Sequence, residues 1–133
     1  MASTGVLMGV DPGPRPGLAL KIATSYHTMW LQTPDELYKL IHDHRPDWVA
    51  LELFARSNRI DRNMIETMQC VGGVQGVCAA NSIILYSQRP QERRSFIRDA
   101  QQHLVPGHAP HERDALAHLL LREHMLKHGR LNL

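Results

Sequence analysis

Four residues of this sequence are of types, and at positions, that could share one reaction. Asp11 closes the apolar run 6–10, Glu52 closes the apolar run 48–51, and His111 and Asp114 stand three residues apart near the start of a helical pattern. Residues at i and i+3 share a helix face, so His111 and Asp114 can point together at strand ends. Carboxylates gathered from separate elements repel one another unless a cation sits among them. Hard oxygen donors select Mg²⁺ or Mn²⁺, and a histidine in the set makes Mn²⁺ easier to accept. Two such ions about 4 Å apart stabilise both the attacking water and the leaving oxygen of a phosphodiester. The pattern predicts hydrolysis at a two-metal site held by Asp11, Glu52, His111 and Asp114.

Each residue also has a plainer use. An Asp before Pro-Gly is a common turn residue, and Asp114 could simply pair with Arg113 or His118. Glu52 is harder to explain away, because a carboxylate at the end of a buried strand needs a partner. Glu112 points about 100° away from His111 and is the weaker candidate. The segment His111-Glu112-Arg113-Asp114-Ala115 starts like a zinc-protease helix, but Ala115 stands where the second histidine is required. Gly72-Gly73-Val74-Gln75-Gly76 lies inside a helical pattern and makes a poor phosphate loop. The histidines other than His111 show no ligand spacing and read mostly as surface groups.

Positioning these residues requires a particular order of elements. Runs 6–10, 18–23 and 26–31 read as three strands joined by tight turns, the first shaped by Pro12, Gly13, Pro14, Pro16 and Gly17. Thr33-Pro34-Asp35-Glu36 opens a helix with a capping pattern, and that helix must end before Pro46. A buried strand follows over 48–52. Met64, Ile65, Met68, Val71, Val74 and Val77 predict a long helix over 61–80, apolar on nearly all sides in its second half, which suggests burial against something besides its own sheet. A strand at 83–86, a helix after Pro90 carrying Phe96, Ile97, Ala100 and Leu104 on one face, and a last helix over 110–127 complete the chain. The order suits an α/β fold with a mixed sheet covered by helices.

At 133 residues, 43% hydrophobic and 21% charged, the chain has the balance of one globular domain spanning 1–133. No apolar run reaches the roughly 20 residues needed to cross a bilayer, and the first residues do not form a signal peptide, so a cytoplasmic protein without membrane contact is expected. Cys70 and Cys78 on one helix would lie roughly 12 Å apart, beyond disulfide reach. A net charge of +2 argues weakly for nucleic acid. The arginines nevertheless cluster: Arg56, Arg59 and Arg62, then Arg89, Arg93, Arg94 and Arg98.

Together the segments Gly9-Val10-Asp11-Pro12-Gly13, Gly17-Leu18-Ala19, Ala50-Leu51-Glu52, Gly72-Gly73-Val74-Gln75-Gly76 and His111-Glu112-Arg113-Asp114-Ala115-Leu116-Ala117-His118 resemble, in order and spacing, the RuvC-type Holliday junction resolvases. The resemblance covers most of the chain. It implies an RNase H-like fold with a mixed five-stranded sheet, and a homodimer joined through the helix 61–80 that nicks two strands of a four-way DNA junction. It also implies that Asp11, Glu52 and Asp114 bind Mg²⁺ or Mn²⁺, with His111 a ligand or an aid to the water or leaving group. Phe54 occupies the place of an aromatic wedge. Arg15, Arg56, Arg59, Arg62, Arg93 and Arg94 are the candidate DNA contacts. The chain is shorter than cellular members and looks like a phage-encoded relative, for which flaps and forks are further substrates, in bacterial or phage-infected cytoplasm. Two alternatives share the fold: a ribosomal-RNA-processing nuclease, and a non-catalytic module that binds branched DNA.

Overall fold

The computed structural model describes residues 3–53 and 60–129. Five strands, β1 (Val6–Asp11), β2 (Gly17–Ile22), β3 (Ser25–Trp30), β4 (Trp48–Glu52) and β5 (Ile84–Gln88), form one sheet in the order β3-β2-β1-β4-β5. Pairing is antiparallel from β1 to β3 and parallel from β1 through β4 to β5. Among the described residues the α-helices are α1 (Pro34–His44), α2 (Arg62–Ala80), α3 (Ile97–His103) and α4 (Pro110–His128). Among the described residues no helix is long and apolar enough to cross a membrane.

Strand alternation sorts the side chains onto two faces. Met8, Val10, Leu18, Leu20, Val49 and Leu51 pack with Leu37 and Ile41 of α1 and Cys70, Val74 and Cys78 of α2. On the opposite face, Ala19, Trp48 and Ala50 meet Ala100 of α3 and Ala115, Leu116 and Leu119 of α4. Asp11 and Glu52 continue this second alternation, so the parity of their strands sends both carboxylates toward α4.

Small residues let α4 approach. A Cβ on Gly9 would lie 2.1 Å from the Ala115 carbonyl oxygen, and one on Gly17 would lie 2.2 Å from that of His111. On the other face Gly73 of α2 leaves room for the Tyr38 ring, which a Cβ would meet at 2.2 Å.

Local signals set most boundaries. Thr33 caps α1 by accepting from Glu36 N, Asp61 caps α2 by accepting from Met64 N at 2.9 Å, and Arg45 ends α1 in the left-handed region at φ 46°. Two expectations need correction. The segment Pro90–Phe96 is a 3-10 helix rather than the start of an α-helix, and β5 runs on to Gln88 instead of stopping at Tyr86. The last strand continues because Gln88 pairs with Glu52 on the parallel neighbour. Cys70 and Cys78 are buried free thiols.

Candidate active site

The sheet register builds the site. Val10 pairs with Leu51 and Glu52 pairs with Gln88, so Asp11, Glu52 and Gln88 fall side by side at the C-terminal ends of three parallel strands. The first turn of α4 brings His111 over Asp11, its Nδ1 2.7 Å from Oδ2. Asp114, one turn on, faces the same strand ends. Asp11, Glu52 and Asp114 are each 9% exposed or less.

A guanidinium spans the gap between two of the acids. Arg93 donates from Nη1 to Glu52 Oε1 at 2.7 Å and from Nη2 to Asp114 Oδ2 at 3.3 Å. The 3-10 winding lets Nη1 also reach the Pro90 carbonyl at 2.6 Å. Arg113 holds the other Asp114 oxygen, through Nε at 3.1 Å and Nη2 at 3.0 Å. Arg93 Nε is buried with no hydrogen-bond partner among the described residues. Among those residues no three His, Cys, Asp or Glu side chains are gathered as a ready metal cage. The cation placed between Glu52 and Asp114 is the protein's own.

Electrostatics separates the two strand-end acids. Burial, aided by the charge of Glu52 and opposed by the His111 hydrogen bond, pushes Asp11 up to about 7. Burial also works against an ionised Glu52, but hydrogen bonds from His118 and Asp11 and the charge of Arg93 outweigh it and hold that carboxyl below its ordinary range. The hydrogen bond to Asp11, against some burial, raises His111.

The surroundings divide the remaining candidates. Arg15 stacks on Trp30, its guanidinium carbon 3.6 Å from the ring centroid, and Trp30 in turn lies 6.1 Å from the His111 ring. Arg62 is on the surface, paired with Glu66 at 3.1 Å. Arg94 is exposed and, with Arg93 and Arg113, lines a groove of about 420 Å³ beside the acids. Glu112 caps α4 by accepting from Ala109 N at 2.7 Å and also accepts from Thr28 Oγ1 at 2.9 Å. Phe54, Arg56 and Arg59 lie outside the described residues.

No family model matches this sequence, and no curated protein matches it. Solved structures do. RuvC of T. thermophilus in complex with a Holliday junction substrate superposes with a TM-score of 0.75 at 17% identity, covering 93% of this chain and 96% of that one. A second structure, Thermus thermophilus RuvC, gives 0.69 at 20% identity with the same coverage. The chain has the RuvC fold. The mixed five-stranded sheet is accordingly of the RNase H-like type.

On this RuvC-like frame, three residues beside the acids went unrecognised as site residues in the sequence. His118 is fully buried and its Nε2 lies 3.1 Å from Glu52 Oε1, contrary to the expectation of a surface histidine. It sits one turn beyond Asp114 on the same face of α4, and that i, i+4 spacing was the available signal. Gln88 owes its place to strand register, which no local pattern reveals. Arg113 was visible as a partner of Asp114, though not as part of the groove.

Proposed function

We propose that this chain is a divalent-metal-dependent endonuclease, a single nuclease domain that hydrolyses phosphodiester bonds in branched DNA, with four-way junctions its principal substrate and flaps and forks beside them. The observation that carries the proposal is the meeting of Asp11 and Glu52 at adjacent strand ends, with Asp114 tied to Glu52 through one guanidinium. The donors suit a hard cation: their central atoms are carboxylate oxygens, and the proton on Asp11 is held weakly enough to be displaced near neutral pH.

Asp11, Glu52 and Asp114 would hold Mg²⁺ or Mn²⁺, two ions per site, with His111 at the rim. When bound, the metal supplies positive charge to the attacking and leaving oxygens. His111, its side chain about half exposed, is placed to carry a proton between Asp11 and solvent. Arg93 must leave the gap between Glu52 and Asp114 to admit metal, and the groove it shares with Arg94 and Arg113 offers it a phosphate to bind instead. Arg15, beside Trp30, flanks the site on the opposite side.

Two copies would pair through α2, whose outward surface leaves Ile65 and Met68 about half exposed and carries Gly72 and Gly76 with open space where a Cβ would be. Such a pair would present two sites to a symmetric junction. We place the activity in bacterial or phage-infected cytoplasm. The Arg93 bridge favours one other reading, a module that binds branched DNA without cutting it.

Cleavage of an end-labelled four-way junction in Mg²⁺ or Mn²⁺ separates the readings. Nicks that disappear in Asp11→Asn while junction binding persists support the nuclease. Undiminished cleavage by that variant refutes the assigned site, and binding without nicks by the wild type supports the module.

A further inference from the structure

A chain of buried hydrogen bonds runs behind Glu52, and its direction can be worked out atom by atom. Gln88 Oε1 lies 2.9 Å from Arg122 Nε, and Gln88 Nε2 lies 3.1 Å from the His118 carbonyl oxygen. A guanidinium only donates and a carbonyl only accepts, so the Gln88 amide has one possible orientation. Its Nε2 therefore also donates to His118 Nδ1, 2.8 Å away. A ring that accepts at Nδ1 carries its proton on Nε2, and that proton points at Glu52 Oε1 across 3.1 Å. Arg122, stacked on Tyr86 at 4.3 Å, anchors the far end.

Every link donates in the same sense: Arg122 to Gln88, Gln88 to His118, His118 to Glu52. The Glu52 oxygen that receives this bond also receives Arg93 Nη1. The two donors differ in kind. Arg93 is a side chain from a 3-10 segment, whereas His118 is fully buried on α4 with both ring nitrogens engaged.

We propose that His118 is a positioning residue for Glu52: through its Nε2 proton, fixed in place by Gln88, it holds the carboxylate at the strand end in one orientation whether Arg93 or a divalent cation faces it. The inference rests on the metal-dependent reading above for its consequence, but its geometry stands independently. Hydrogen-bonded partners of ligating carboxylates are worth about 10- to 100-fold in metal affinity.

Two measurements test it on the whole chain. In ¹⁵N-labelled, metal-free protein, the His118 ring should show the pattern of a single Nε2–H proton; an Nδ1–H ring overturns the inference. Titration with Mn²⁺ alone should show affinity about 10- to 100-fold weaker in His118→Leu, and near the wild-type value in His118→Gln, whose amide can again donate to Glu52. A folded His118→Leu with wild-type Mn²⁺ affinity, or a His118→Gln as weak as the leucine variant, overturns it. If His118→Leu does not fold, the ring spectrum and His118→Gln decide. Failure of the wild type to bind Mn²⁺ would count against the nuclease reading, leaving the ring spectrum to judge the hydrogen-bond chain.

Discussion

Replacing Gly9 with alanine should uncouple the site from its sheet. The added Cβ would stand 2.1 Å from the Ala115 carbonyl oxygen, 2.9 Å from Leu119 Cβ and 3.0 Å from Leu119 N. Two of these atoms belong to the helix backbone, so no rotamer change relieves the contact. Ordinary contact begins near 3.4 Å, and α4 must therefore lift from β1 by more than an ångström. Overpacking of this kind costs about 1–3 kcal/mol or more, which for a chain of this size lowers Tm by roughly 3–5 °C per kcal/mol. The same helix carries His111, Asp114 and His118, and a 1 Å misplacement of reacting groups can cost about 100-fold in rate. Gly13→Ala is the control, since its Cβ meets nothing nearer than Thr67 Oγ1 at 4.0 Å; it should change stability by no more than about 0.5 kcal/mol. Thermal melts and junction-cleavage rates of the two variants check this. A Gly9→Ala protein with unchanged Tm and rate would show that the close approach of α4 to β1 does not set the geometry of the site.

Three other perturbations have determined directions. In EDTA, Arg93→Ala should lose on the order of 1–3 kcal/mol, since it leaves Glu52 and Asp114 without their shared counterion; Mn²⁺ should restore the loss and bind more tightly than to wild type, as read by melts and titration calorimetry. Asp11 is raised from 3.8 to about 7 in the fold, so its protonated form contributes stability fully below about pH 3.8 that is lost as pH rises through 7; raised His111 acts in the same sense from pH 6.5 upward. Glu52, held low, works oppositely only below about pH 4.5. Metal-free protein should therefore lose Tm as pH rises from about 4.5 through 7, and Asp11→Asn should flatten that slope. Finally, Arg94→Ala should weaken junction binding with little regard to sequence and reduce the slope of log K against log salt by about 0.9; a salt titration by fluorescence anisotropy reads both.

Much of this arrangement was legible because the sheet obeys local rules. The apolar runs 6–10 and 48–51 mark Asp11 and Glu52 as acids at strand ends, and helical spacing puts His111 and Asp114 on one side of α4. Three features were not legible, each for a physical reason. His118 sits inside an apolar helix pattern, where its i, i+4 relation to Asp114 puts the two on one face without saying that the ring is buried against Glu52. Gln88 enters only through the parallel register of β5 with β4, which is set by tertiary packing rather than by neighbours in sequence. Arg93 looked like a phosphate contact; the 3-10 winding of Pro90–Phe96, which a helical pattern does not distinguish from an α-turn, turns it inward onto two acids.

The most direct test is anomalous diffraction from crystals soaked in Mn²⁺. The account predicts manganese peaks among the oxygens of Asp11, Glu52 and Asp114, with the Arg93 guanidinium moved out of the gap it now spans. Crystals that show no manganese there, with Arg93 still bonded to both Glu52 and Asp114 at saturating Mn²⁺, would contradict it.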